Sequence, residues 1–234
     1  MQQSYKRQHH WRFFYFWNMQ KQLLVFLFMM SFTLAQSQAD SAYREDQIYV
    51  TIGYPLLINA PDGITQNKLS HTFSLGYIRD MPINDNRNIA IGLGLGINYN
   101  VLFTNLQFND DMTTNVVSSD IINQWNSTEV EIPLEFRWRN STPTNYRFWR
   151  VYAGLVGHYA LSVKQYTNSG SLKSTVPLTT RNFRLAFRLN VGNNTWNLTY
   201  SYPIDSLFDF GKSTEDKTLN EIKTAKLGLI FYIF

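Results

Sequence analysis

The sequence predicts an all-β protein, an eight-stranded antiparallel up-and-down barrel of the outer-membrane type. Three observations carry that expectation. Residues 88–100 read NIAIGLGLGINYN, where Ile89, Ile91, Leu93, Leu95, Ile97 and Tyr99 alternate without a break against small or polar residues. A tilted strand crossing a membrane needs roughly 9–11 residues of such alternation, longer than most strands of soluble proteins. Segments of this kind recur along the chain, joined by connections that are alternately long and short. Tryptophans gather at strand ends that this order places on one side of the membrane.

The start of the chain is set apart. Residues 1–39 carry Lys6, Arg7, Arg12 and Lys21 and no acid, then an apolar run from Leu23 to Leu34, then Ala35-Gln36-Ser37-Gln38-Ala39. This is the three-part pattern of a secretory signal. The run is shorter than the roughly 20 residues a spanning helix needs. Residues 1–35 are expected to be a leader cleaved after Ala35, with Ala39 the alternative, leaving 36–234 as the barrel. A start at Met19 gives a signal of ordinary length, so residues 1–18 read as a mis-assigned start or an extended basic region.

Charge and cysteine then exclude several classes. The whole chain has 21 basic and 17 acidic residues. Without the four basic residues of the leader, 17 face 17, so the basic excess gives no support for a nucleic-acid partner. There is no cysteine, which excludes disulfides, thiolate zinc sites and thiol catalysis.

The strands follow in order. The first, 47–54, sets Ile48, Val50, Ile52 and Tyr54 on one face; the second, 70–79, sets Phe73, Leu75 and Tyr77. The third is 88–100. The fourth, 128–139, presents Val130, Ile132, Leu134, Phe136 and Trp138. The fifth, 147–164, presents Trp149, Val151, Ala153, Leu155, Tyr159, Leu161 and Val163. The sixth, 181–192, has Phe183, Leu185, Phe187, Leu189 and Val191, and the seventh, 195–203, has Trp196, Leu198, Tyr200 and Tyr202. The eighth, 223–234, is apolar on both faces near its end, so its facing stays open.

Connections after the second, fourth and sixth strands are short (80–87, 140–146, 193–194) and rich in turn-forming Asn, Pro, Asp and Thr. The others are long: 55–69, 101–127, 165–180 and 204–222. Long outer loops and short periplasmic turns are the habit of such barrels, which puts both termini in the periplasm of a bacterial outer membrane. Trp138, Trp149 and Trp196 then lie at the periplasmic interface, where indole rings settle at headgroup depth. Phe234, the last residue, closes the final strand on an aromatic, as bacterial outer-membrane barrels commonly do.

The opposite face is charged. The fourth strand offers Glu129, Glu131, Glu135, Arg137 and Arg139. The fifth adds Arg150, Tyr152, His158 and Lys164, and the sixth adds Arg184, Arg188 and Asn190. An eight-stranded barrel is just wide enough for side chains to fill. A sealed ionic network of Glu131, Glu135, Arg137, Arg139, Arg150, Arg184 and Arg188 is therefore expected, with Gly76, Gly92, Gly94, Gly96 and Gly154 making room. Hydrolase chemistry needs a nucleophile, a base and an orienting acid within reach. His158 shares the strand parity of Ser162, with Glu131 or Glu135 across the lumen; His71 lies beside Ser70 without an acid. The sealed interior argues against the first and the missing acid against the second, and no catalytic residue is assigned.

Other motifs lack their context. GLGLG at 92–96 sits inside a strand with no helix after it, so it is not a phosphate loop. Asn109-Asp110-Asp111 reads as a solvated loop tip, and the Asn-x-Ser/Thr matches at Asn126, Asn140 and Asn197 read as coincidence. No cofactor or metal is expected.

Longer stretches carry a resemblance. HTFSLGYIRDMPINDNRNIAIGLGLGINYN from His71, EIPLEFRWRNSTPTNYRFWRVYAGL from Glu131, NTWNLTY from Asn194 and the closing KLGLIFYIF together resemble the PorT-like proteins of Bacteroidetes. EIPLEFRWR followed by FWR is the most specific part. The resemblance covers most of the chain after the leader and is weakest in the long loops. It implies a non-enzymatic accessory or assembly component of type IX protein secretion. The partners it implies are outer-membrane lipid, other components of that system and the barrel-insertion machinery. The alternative is a general structural or ligand-binding barrel, with a lipid-modifying hydrolase behind it.

Overall fold

The computed structural model describes residues 46–66, 68–108, 114–116, 123–140, 149–166, 172–175, 181–193, 195–208 and 219–233. The leader with Met19, Ala35 and Ala39, the acidic tip 109–111, and Phe234 lie outside the described residues.

Eight long strands form the barrel: β1 (Gln47–Ile58), β2 (His71–Pro82), β3 (Ile89–Thr104), β4 (Asn123–Arg139), β5 (Trp149–Tyr166), β6 (Phe183–Asn193), β7 (Trp196–Pro203) and β8 (Lys223–Ile233). Each pairs antiparallel with its sequence neighbours, and β1 pairs with β8 from Ile48↔Ile233 to Ile58↔Lys223. The ring is closed and leaves no free edge, the condition for β-structure in a medium that cannot hydrogen-bond to backbone. A short ribbon, Leu106–Phe108 with Thr114–Val116, and a short strand, Leu172–Thr175 on β5, lie at the long-loop end.

Alternation sorts the side chains as a membrane strand requires. Ile52 is 56 % exposed, Leu95 60 % and Leu198 54 %, each flanked by inward neighbours that are small or buried. Such residues ring the outside of every strand: Leu75 on β2, Leu134 on β4, Leu155 on β5, Phe187 on β6 and Leu229 on β8. A soluble protein does not leave a continuous apolar band of this extent open to water.

Four details depart from the sequence reading. Strands β3, β4 and β5 run further toward the long loops than their alternation indicated, to Thr104, from Asn123 and to Tyr166. Asp80, expected in a turn, is an inward strand residue paired with Gly92. A bulge in β5 interrupts its parity: Glu129 pairs with Ala160 but Thr128 pairs with Ser162, leaving Leu161 extra. One inserted residue turns everything after it to the opposite face, so Lys164 points out, Val163 turns in, and Ser162 leaves the face of His158. The facing of β8 is settled by its partners. Ile230 opposes the buried Thr51 and Asn197, so Lys226, Ile230 and Tyr232 point in while Leu227, Leu229, Phe231 and Ile233 point out.

Local chemistry explains two irregularities. The β3–β4 ladder skips Gly94 and Leu95, opposite Pro133, which has no N–H to donate. In the β2–β3 turn, Asn84 accepts from Ile89 N at 3.0 Å while Arg87 takes the left-handed conformation with φ 54°.

Glycines set the interior spacing where strands approach a large side chain. The Tyr49 ring lies over Gly76 and Gly96; a Cβ on Gly76 would fall 2.6 Å from Tyr49 Cε1, and one on Gly96 2.9 Å from the Leu75 carbonyl oxygen. Gly76→Val is expected to lower stability by about 1–3 kcal/mol through overpacking. A urea midpoint that does not fall would show that Tyr49 has room to move aside.

The ion-paired lumen as candidate functional site

Each charged side chain of the lumen is placed by strand parity. On β4, Glu129, Glu131, Pro133, Glu135, Arg137 and Arg139 all point inward and are all buried. Successive inward residues stand about 7 Å apart along a strand, so each meets partners from different neighbours.

Toward the long loops the network is built on two carboxylates. Glu131 receives both guanidinium nitrogens of Arg188, at 3.1 and 3.5 Å, the Tyr49 hydroxyl at 2.6 Å and Ser74 Oγ at 3.4 Å. Glu129 pairs with Arg184 and accepts from Ser127 Oγ at 2.8 Å, with Lys226 Nζ 3.8 Å away. Lys226 also donates to Asn98 Oδ1 at 2.8 Å, and Asn98 donates to Ser74 Oγ and Thr72 Oγ1. His158 Nδ1 lies 3.4 Å from Glu129 and 4.0 Å from Glu131.

Toward the short turns, Asp80 is shared. Its Oδ1 takes Arg137 Nη1 at 2.8 Å and its Oδ2 takes Arg139 Nη1 at 2.9 Å. Arg137 also donates to Gln47 Oε1, and Arg139 Nε donates to the Arg87 carbonyl at 3.1 Å. Glu135 lies 3.6 Å from Arg137 Nε and accepts from Asn190 at 3.1 Å. Aromatic rings fill the rest. The Arg137 guanidinium sits 4.1 Å from the Tyr152 ring centroid and 5.3 Å from that of Tyr232, which Arg150 also faces at 5.6 Å. Cations over aromatic faces gain more where water is excluded.

The lumen thus brings together Glu131, Glu135, Arg137, Arg139, Arg150, Arg184 and Arg188. Sequence reasoning did not find Gln47, Tyr49, Asp80, Lys226 and Tyr232. Parity held the signal for Asp80, which continues the inward series Thr72, Ser74, Gly76 and Ile78. Tyr49 stands between the outward Ile48 and Val50 and was legible the same way. Lys226 and Tyr232 depended on the facing of β8.

The hydrolase constellation does not assemble around His158. The β5 bulge puts Ser162 on the other face. Ser70, beside the exposed His71, has its hydroxyl engaged by Gln66 Nε2 and the Phe103 amide, each at 3.0 Å. On the outside, Trp138, Trp149 and Trp196 are exposed at the short-turn end, the last 66 % exposed and edge-on to Phe231.

A closed barrel of eight strands, apolar outside and packed with paired polar groups inside, defines an outer-membrane β-barrel protein. The chain belongs to the family described as outer membrane protein beta-barrel domain, which matches residues 34–209. No curated protein and no solved structure matches the chain.

Two predictions follow from this geometry. Asp80→Asn leaves Arg137 and Arg139 facing each other in a buried site and should cost about 3–5 kcal/mol in urea unfolding; a loss below about 1 kcal/mol would mean that other groups hold them. In proteins retaining only Trp138, Trp149 or Trp196, bromines near the lipid headgroups should quench fluorescence more than bromines at mid-chain. Stronger mid-chain quenching would displace the tryptophan belt from the interface.

Proposed function

We propose that this protein is a non-enzymatic accessory or assembly component of type IX protein secretion, with both termini on the periplasmic side of the outer membrane. The observation that carries the reading is the filled lumen. Asp80, Arg137, Arg139 and Glu135, with Tyr152 and Tyr232, occupy the short-turn half of the barrel. An interior packed this way does not conduct a polypeptide, so the protein acts through its outer surface, loops and turns on components that do. The resemblance of EIPLEFRWR and the following FWR to PorT-like proteins supports the secretion role. The short turns and exposed tryptophans at one end support the orientation, because barrels keep short turns on the periplasmic side. Other secretion components and the barrel-insertion machinery are the partners this reading names.

A second reading, a ligand-binding barrel, draws support from a cavity at the long-loop end. Deletion of the gene followed by proteomics of medium and periplasm separates the two. Loss of a class of large secreted proteins from the medium, with precursors retained in the periplasm, is the expected result. An unchanged set of secreted proteins in a verified deletion overturns the secretion role and leaves the binding barrel. The non-enzymatic part has its own check. The purified protein in phospholipid or lipid A vesicles should release no fatty acid; release that disappears in His158→Ala or His71→Ala would make it an enzyme.

A further inference from the structure

The barrel interior is not filled evenly. Between the Glu129–Glu131 cluster and an apolar cap of Leu102, Leu106, Trp125, Phe208 and Ile222 lies a cavity of about 70 Å³. Glu129, Asp205, His158, Arg184 and Lys226 line it together with Leu102, Trp125, Ala186 and Pro203. The lining is therefore part ionic and part apolar.

Hydrogen-bond capacity in the ionic part is lopsided. Both Glu129 oxygens are engaged, Oε1 by Ser127 and Arg184, and Oε2 by His158 and Lys226 at 3.4 and 3.8 Å. The donors are not exhausted. His158 is only 4 % exposed; its Nδ1 faces Glu129 at 3.4 Å, and its Nε2 has no hydrogen-bond partner among the described residues. Arg184 Nε is also buried and without one. Lys226 is fixed to Asn98 by one bond and carries three donors. Buried donors left over in this number call for an acceptor.

The charge balance points the same way. Glu129 and Glu131 face Arg184, Arg188 and Lys226, one cation more than carboxylates. Asp205 also lines the cavity, and Arg181 offsets its charge from 3.7 Å away. We propose that this cavity binds a small organic carboxylate, a monoanion with a short apolar tail. Its head accepts from Lys226, Arg184 and His158 and completes the charge of the cluster. Its tail lies against Trp125, Leu102 and Pro203. An amine would meet like charge at the same groups, and an alcohol of equal size would leave the excess charge uncompensated.

The test is calorimetric titration of the purified protein in maltoside micelles with butyrate, butylamine and butan-1-ol, with protein-free micelles as the blank. Butyrate should bind saturably and at least about tenfold tighter than either analogue. Lys226→Gln should weaken butyrate binding by at least about tenfold. Ala186→Leu, which adds bulk to the cavity lining between Arg184 and Arg188 without removing a charge, should abolish it. Heat-dependent gel mobility reports whether each variant is folded, and Ala186→Leu carries the test where Lys226→Gln does not fold. The proposal is overturned by butylamine or butan-1-ol binding as tightly as butyrate. It is equally overturned by folded protein that binds no butyrate, or by butyrate binding that Ala186→Leu leaves unchanged.

Discussion

A bilayer has no water with which to satisfy backbone amides, and the rest of this structure depends on how the chain meets that constraint. Closing β8 onto β1 pairs the two edges that an open sheet would expose. Closure at eight strands then limits the interior, because barrel width grows with strand number. The inner space has to be filled by side chains, and those side chains decide what the protein can do.

This chain fills its lumen with ions as well as apolar groups. Ion pairs taken out of water gain little net stability, and a buried pair loses much when one partner is removed. They do impose a register. Glu131 is met by Arg188 of β6, Tyr49 of β1 and Ser74 of β2, so a slipped strand would leave a charge unpaired inside the barrel. Asp80 ties β2 to Arg137 and Arg139 of β4 in the same way. The large side chains fit because others are small: Tyr49 lies over Gly76 and Gly96, and Arg137 packs against Gly92.

Packing divides the lumen into two regions. Near the short turns, guanidiniums and tyrosine rings stack closely. Near the long loops, an apolar cap closes over an ionic floor and leaves a cavity between them. The first region obstructs passage through the barrel. The second is open enough to hold a small guest. An obstructed barrel of an outer-membrane family is the common ground of the two functional readings proposed above.

Much of the barrel was legible along the chain because period-two alternation is a local property. Each strand shows its two faces without reference to its neighbours, and the rhythm of long and short connections shows the topology. The inward position of Glu131, Glu135, Arg137, Arg139, Arg150, Arg184 and Arg188 follows from the same parity. Three kinds of information were not local. The bulge at Leu161, which turns Ser162 and Lys164 outward, appears only where β4 and β5 are paired. The facing of β8, and with it Lys226 and Tyr232, needed its registers with β1 and β7, because both faces of that strand are apolar near its end. Which carboxylate holds which cation needed the curvature of the closed ring, which brings Tyr49 to Glu131 across 82 residues of sequence. The sequence by itself determined the strands, their order and the polarity of each face, since alternation and turn chemistry act over a few residues. Only the tertiary structure decided the pairing inside the lumen and the cavity above it, since both arise from side chains that meet across a closed barrel.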